Sequence, residues 1–148
     1  MTLDFLLASV HHILVFAIVA SLAAELVLIR CVLDKPTLGR LAMFDGVLGG
    51  AAGLLLLVGI LRLIYGLKGW EFYASSHAFW TKMALFIAIG LLSITPTRRF
   101  LRWRRASETA GFAVPAAELS GVRRILHIEA LLLFLIPVVA AAMARGMG

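Results

Sequence analysis

The chain has 148 residues, of which 62% are hydrophobic and 15% charged, with a mean hydropathy of +1.01. A soluble domain is about 45–50% apolar and about 25% charged, so this composition excludes a water-soluble globule and points to a bilayer. The formal charge of +6 reflects 14 Lys and Arg against 8 Asp and Glu, but the arginines flank apolar runs and build no basic face on a soluble fold, which argues against nucleic acid as a partner.

The predicted architecture is all-α: an integral membrane four-helix bundle forming a single domain over residues 1–148. The N-terminus lacks a basic n-region and carries Asp4 in its place, so the first apolar run is expected to stay in the mature protein. Helix one is expected from about Leu3 to Leu33, with His11, His12, Glu25 and Arg30 as its polar members. His11 and Glu25 fall about 40° apart around the helix and about 21 Å apart along it. They can therefore line one inward face at different depths, but they cannot share one ion. Cys31, the only cysteine, allows no intrachain disulfide and reads as a packing residue. The stretch CVLDKPTLGRLAMFD is expected to break the helix at Pro36 and loosen at Gly39.

Helix two is expected from about Met43 to Leu67. Gly46, Gly49, Gly50 and Gly53 carry two GxxxG spacings, and this small-residue seam permits close helix approach. Arg62 is placed to snorkel to the interface, and Tyr65 and Trp70 suit the aromatic belt. Ser75 or Ser76 is expected to cap helix three, which runs to about Ile94. Pro96 then stops or kinks it, and TRRFLRWRR reads as an interfacial amphipathic piece with Phe100, Leu101 and Trp103 as its apolar contacts. An Arg-rich connection around residues 96–122 leads to helix four, with Pro115 at its start, Glu118 near the positive end of its dipole, and Pro137 as an internal kink.

Basic residues concentrate in the first connection (Arg30, Lys35, Arg40) and in the third (Arg98 to Arg124). The positive-inside rule then makes those connections cytoplasmic and puts both termini on the outer, periplasmic side of a bacterial inner membrane. The arginines would also meet anionic lipid headgroups.

His11, His12 and His77 fall near the outer helix ends, with Lys82 about one and a half turns inside helix three in FWTKMALF. A haem b iron takes one or two axial ligands, usually imidazole, in an apolar slot. His11 or His12 with His77 is one pairing the sequence allows, with Lys82 set to meet a propionate. The plain alternative is hydrated histidines at the interface and a snorkelling lysine or one paired with Glu71. His127 has no second histidine at its depth, and Glu129 points away from it. Soft ligands for copper or zinc, such as Met43 and Met83, form no close cluster in sequence. No GxGxxG, HExxH, CxxC or nucleotide-binding loop is present, and Ser75 and Ser76 beside His77 lack the third member of a nucleophilic triad.

The string FWTKMALFIAIGLLSITPTRRFLRWRR, together with VHHI in helix one, resembles a family of small bacterial membrane proteins of unknown function, domain of unknown function 2214. The resemblance covers nearly the whole chain. More distantly the chain is similar to the four-helix membrane family that contains the HemJ-type protoporphyrinogen oxidase and the CopD copper-resistance proteins. In the HemJ-type family a first-helix histidine and a third-helix lysine after an aromatic pair are functional, and haem b is bound. That resemblance implies such roles for His11 or His12 and for Lys82, and with them a haem-b-binding membrane protein that has a redox or porphyrin-handling role and a porphyrin or quinone as partner. Two other readings stand beside it: a non-enzymatic scaffold or homo-oligomer packing through the Gly46–Gly53 seam, and a small metal or metabolite carrier.

Overall fold

Four apolar runs become four long helices because a helix is the one single-segment structure that satisfies its own backbone hydrogen bonds in hydrocarbon. In a computed structural model, which describes residues 2–65, 71 and 74–145, they are α1 (Thr2–Leu28), α2 (Lys35–Tyr65), α3 (His77–Ala106) and α4 (Ala116–Ala144). The expected end of helix two at Leu67 and the belt residue Trp70 lie outside the described residues. All four helices are long and apolar enough to cross a membrane. At 27 to 31 residues each, they measure about 40–47 Å against a hydrocarbon core of about 30 Å, so their ends reach the headgroup zones. The protein is a membrane-spanning four-helix bundle.

The helices contact one another in a ring. α1 packs most extensively on α2 and α3 on α4, while the α2–α3 and α1–α4 seams are smaller. The molecule is therefore two antiparallel hairpins laid side by side. Both short connections, 29–34 and 107–115, lie at one end, where Lys35 Nζ donates to Glu108 Oε2 at 2.6 Å.

Three helix boundaries differ from the sequence expectation, the first being the end of α1, at Leu28 and not near Leu33. Pro36 does not break the chain but sits in the first turn of α2, where its missing N–H leaves no bond unmade. Asp34 accepts from the Thr37 amide at 2.9 Å and starts the helix, and its hydrogen bonds with Thr37 hold its carboxyl below the usual carboxylate range. Pro96 neither stops nor ends α3, which continues to Ala106 with Pro96 buried inside it. The segment TRRFLRWRR is accordingly the last turns of a bundle helix and not a separate interfacial piece. Phe100 and Trp103 turn inward, at 0% and 1% exposure, and only Leu101 of the expected apolar contacts stays exposed. Pro115 and the internal Pro137 are where the sequence puts them, immediately before and inside α4.

The best-closed packing lies at the connection end. Ile29, Leu38, Leu41, Phe100, Trp103 and Leu126 are all at most 1% exposed, whereas the buried residues of the opposite half, such as Leu55 and Val58, retain 8%. Polar clamps reinforce the closed end. Glu118, in the first turn of α4, accepts from Arg99, Arg102 and the Trp103 indole, the last at 2.9 Å. The Arg123 guanidinium donates to the Ile29 carbonyl at 2.9 Å and covers an oxygen that α1 leaves free. Trp103→Ala should cost about 3–5 kcal/mol of stability, and Trp103→Phe, which keeps a ring but loses the donor to Glu118, clearly less. Unfolding followed by circular dichroism in mild detergent checks this; equal losses would mean that the ring's packing contributes little.

Candidate functional site

At the end opposite the connections, the antiparallel order brings the start of α1, the end of α2 and the start of α3 together. Ser76 opens α3 by accepting from the Phe79 amide at 3.3 Å, which settles the choice between Ser75 and Ser76 as cap. Phe79 is buried and meets Trp80 edge-on at 5.3 Å, while the Trp80 indole donates to the Ala74 carbonyl at 3.0 Å. This pair holds the first turn of α3 in place. One turn on, Lys82 is half-buried with its ammonium 5.6 Å from the Phe79 ring centroid, a cation–π contact.

His11 of α1 is half-buried, and its electrostatic neighbours are Arg62, Lys82 and His12. Three basic side chains on three helices thus converge: His11, Arg62 and Lys82. None of them makes an ion pair with a carboxylate among the described residues, and Glu71 is exposed and unconnected to Lys82. His11 Nδ1 and Arg62 Nε are both buried without a hydrogen-bond partner among the described residues. Buried polar atoms normally find partners, so two orphans in one cluster mark a place where a further group fits. The excess charge there is positive, so that group is an anion or a ligand with an anionic arm.

The other sequence candidates are not part of this cluster in the same way. His12 is exposed, stands edge-on to His11 at 6.1 Å, and donates from Nδ1 to the Ala8 carbonyl at 2.7 Å. His77 is exposed, and its carbonyl accepts from the Thr81 hydroxyl at 2.9 Å. It makes no contact with either first-helix histidine among the described residues. His127, at the other end of the bundle, donates from Nδ1 to the Arg123 carbonyl at 2.6 Å. Its Nε2 is left to accept from Arg30 at 3.1 Å, a structural use of the ring. No three His, Cys, Asp or Glu side chains among the described residues come together to hold a metal ion.

Two features are absent from the sequence-level picture. Arg62 joins the site and does not merely snorkel; its signal was its place near the end of α2, which antiparallel packing sets beside the start of α1. The second is a buried acidic layer in the other half of the bundle. Glu25, Asp45 and Glu129 are 1%, 7% and 2% exposed, and the hydroxyls of Thr97 and Ser93 lie 2.8 and 2.7 Å from Asp45 and Glu129. The glycine seam also behaves differently from a packing face inside the bundle. Gly46, Gly49, Gly50 and Gly53 are exposed, and a methyl group added at any of them would meet nothing within 4 Å.

In comparison with known proteins, the profile of the family described as predicted membrane protein (DUF2214) fits residues 3–148. No curated protein and no solved structure matches the chain.

Lys82 stands among other bases with no acid to offset it among the described residues, so Lys82→Met should stabilise the unliganded protein by about 0.5–2 kcal/mol. Denaturant midpoints in detergent test this, and a fall of similar size would show that the ammonium is already compensated.

Proposed function

The chain belongs to the DUF2214 family of predicted membrane proteins, and on that footing we propose that it binds haem b, with a redox or porphyrin-handling role, at the cluster of His11, Arg62 and Lys82. One observation carries the reading: an imidazole and two cations from three helices meet half-buried, with two buried nitrogens unpartnered. The donor set fits the cofactor. His11 would hold the iron through an imidazole nitrogen, and Arg62 and Lys82 would suit the two propionates. When bound, haem supplies one-electron chemistry. The protein's own part is to hold the iron through His11, to neutralise the carboxylates through Arg62 and Lys82, and to keep the porphyrin in an apolar surround. The distant resemblance to the HemJ-type family supports a first-helix histidine, His11 or His12, and Lys82 in FWTK. His12 and His77, both exposed, fit the role less well than His11.

In this reading the protein sits in a bacterial inner membrane with both termini periplasmic. The support is the basic collar around the two connections, from Arg30 to Arg40 and from Arg98 to Arg124, which the positive-inside rule assigns to the cytoplasm. The haem cluster then lies at the periplasmic end. The scaffold reading keeps one specific observation in its favour: the glycine seam of α2 is open to the outside of the bundle, as a homo-oligomer contact would require.

The deciding measurement is the visible spectrum of gently solubilised protein, before and after reconstitution with haem. A Soret band is expected, lost or shifted in His11→Ala and retained in His77→Ala. A protein that stays colourless and takes up no haem would sink the proposal, and an oligomer disrupted by Gly50→Leu would then favour the scaffold.

A further inference from the structure

The acidic layer is separate from the basic cluster. Glu25 lies about 21 Å along α1 from His11 at 1.5 Å per residue, and the two sites share no side chain. All four helices contribute to it: Glu25 from α1, Asp45 from α2, Ser93 and Thr97 from α3, and Glu129 from α4. Glu25 has Asp45 and Glu129 as its charged neighbours, and Asp45 also acts on Glu129, so the three carboxyls form one group. Among the described residues, no basic side chain is an electrostatic neighbour of the three. α3 presents the two hydroxyls. The nearest bases of α1 and α4 are committed elsewhere, Arg123 to the Ile29 carbonyl and Arg30 to His127.

Three ionised carboxylates in such surroundings would repel one another without water to screen them, and an uncompensated buried charge is among the most expensive groups a fold can carry. Some ligand must offset the charge. A metal ion is not favoured, because the three carboxyls do not converge closely enough to hold one.

The hydrogen bonds identify the ligand. Ser93 Oγ lies 2.7 Å from Glu129 Oε1 and 3.0 Å from the Ile89 carbonyl oxygen. A serine hydroxyl has a single proton, so it cannot donate to both. Both contacts are hydrogen bonds if Glu129 is the protonated partner: its O–H donates to Ser93 Oγ, and Ser93 donates to Ile89. Thr97 poses no such conflict, since its one recorded contact, at 2.8 Å, is to Asp45 Oδ1, and Asp45 accepts there as a carboxylate. Glu25 Oε1 is buried with no partner at all. An orphaned oxygen is far cheaper on a neutral acid than on an anion.

We propose that Glu25, Asp45 and Glu129 form an intramembrane proton-binding site, in which Glu25 and Glu129 hold protons and Asp45 carries the one negative charge between them. Each proton sits on a carboxyl oxygen and moves to the neighbouring carboxylate, which leaves the net charge of the group unchanged, or leaves to water, which makes the group one unit more negative. Asp45, hydrogen-bonded by Thr97, is the acceptor through which the two acids exchange.

Infrared difference spectroscopy of the full chain in liposomes tests this through the protonated-carboxyl C=O stretch, identified by its shift in heavy water. At neutral pH the band is expected in the wild type, partly lost in Glu25→Gln and in Glu129→Gln, and retained in Asp45→Asn. Glu118→Gln, which lies outside the layer, should leave it unchanged. Circular dichroism of each variant verifies the helix content, and the three layer variants stand as independent arms. The absence of a protonated-carboxyl band at neutral pH would overturn the proposal. So would a band untouched by both glutamine substitutions, or one abolished by sodium or potassium at fixed pH, which would assign the site to a monovalent cation.

Discussion

Hydrocarbon offers no water to a polar group, and that constraint organises this bundle more than any apolar contact does. Lipid tails are as apolar as leucine, so burial of apolar surface does little to hold helices together within the membrane. What they cannot do cheaply is leave a carboxylate, an imidazole or a guanidinium facing lipid. Each helix accordingly turns its polar residues towards its neighbours: Glu25 from α1, Asp45 from α2, Ser93 and Thr97 from α3, Glu129 from α4. The exposed faces are left to residues such as Phe16, Leu57, Leu91 and Phe134, which contact lipid. The rotation of every helix about its axis follows from this sorting.

Along the membrane normal the bundle is uneven, and the unevenness separates anchoring from chemistry. The connection end is closed by an aromatic pair, Phe100 and Trp103, at 5.9 Å, and by clamps in which each arginine has an assigned oxygen or nitrogen. The opposite end retains unpaired nitrogens on His11 and Arg62. A site needs groups that are held but not spent, and the nitrogens of His11 and Arg62 are such groups. Arg99, Arg102 and Arg123 lock the framework against which the other end can stay incomplete.

The helices themselves were legible in the sequence, because runs of this length and apolarity leave a bilayer few alternatives. Their limits were less so. Pro36 and Pro96 read as breakers by local rules, yet one falls in a first turn where no amide bond is needed and the other in a spanning helix whose neighbours absorb the loss. That misreading had consequences for the site. With helix two begun near Met43, Asp45 belongs to the interface. With α2 begun at Lys35, it lies about 15 Å into the helix and becomes a buried acid. Glu129 was weighed only against His127, its neighbour in sequence, while its partner Ser93 is on another helix. His11 and Lys82 were legible as candidates from residue type and depth. Choosing His11 over His12 and adding Arg62 required the rotation of the helices, which sequence periodicity this apolar does not define.

The unequal seams of the ring also bear on how the protein assembles. Each hairpin, α1 with α2 and α3 with α4, carries more internal contact than it shares with the other, so each is a natural unit of insertion into the bilayer. The first hairpin does not satisfy its own acids: Asp45 finds its hydroxyl on α3, whereas Glu129 of the second finds Ser93 within its own hairpin. The second hairpin therefore docks onto a first that already holds polar groups in lipid, and their search for partners selects the register of the late step. Synthesis order becomes docking order, and mismatched association of the two halves is penalised by every carboxyl it leaves facing hydrocarbon.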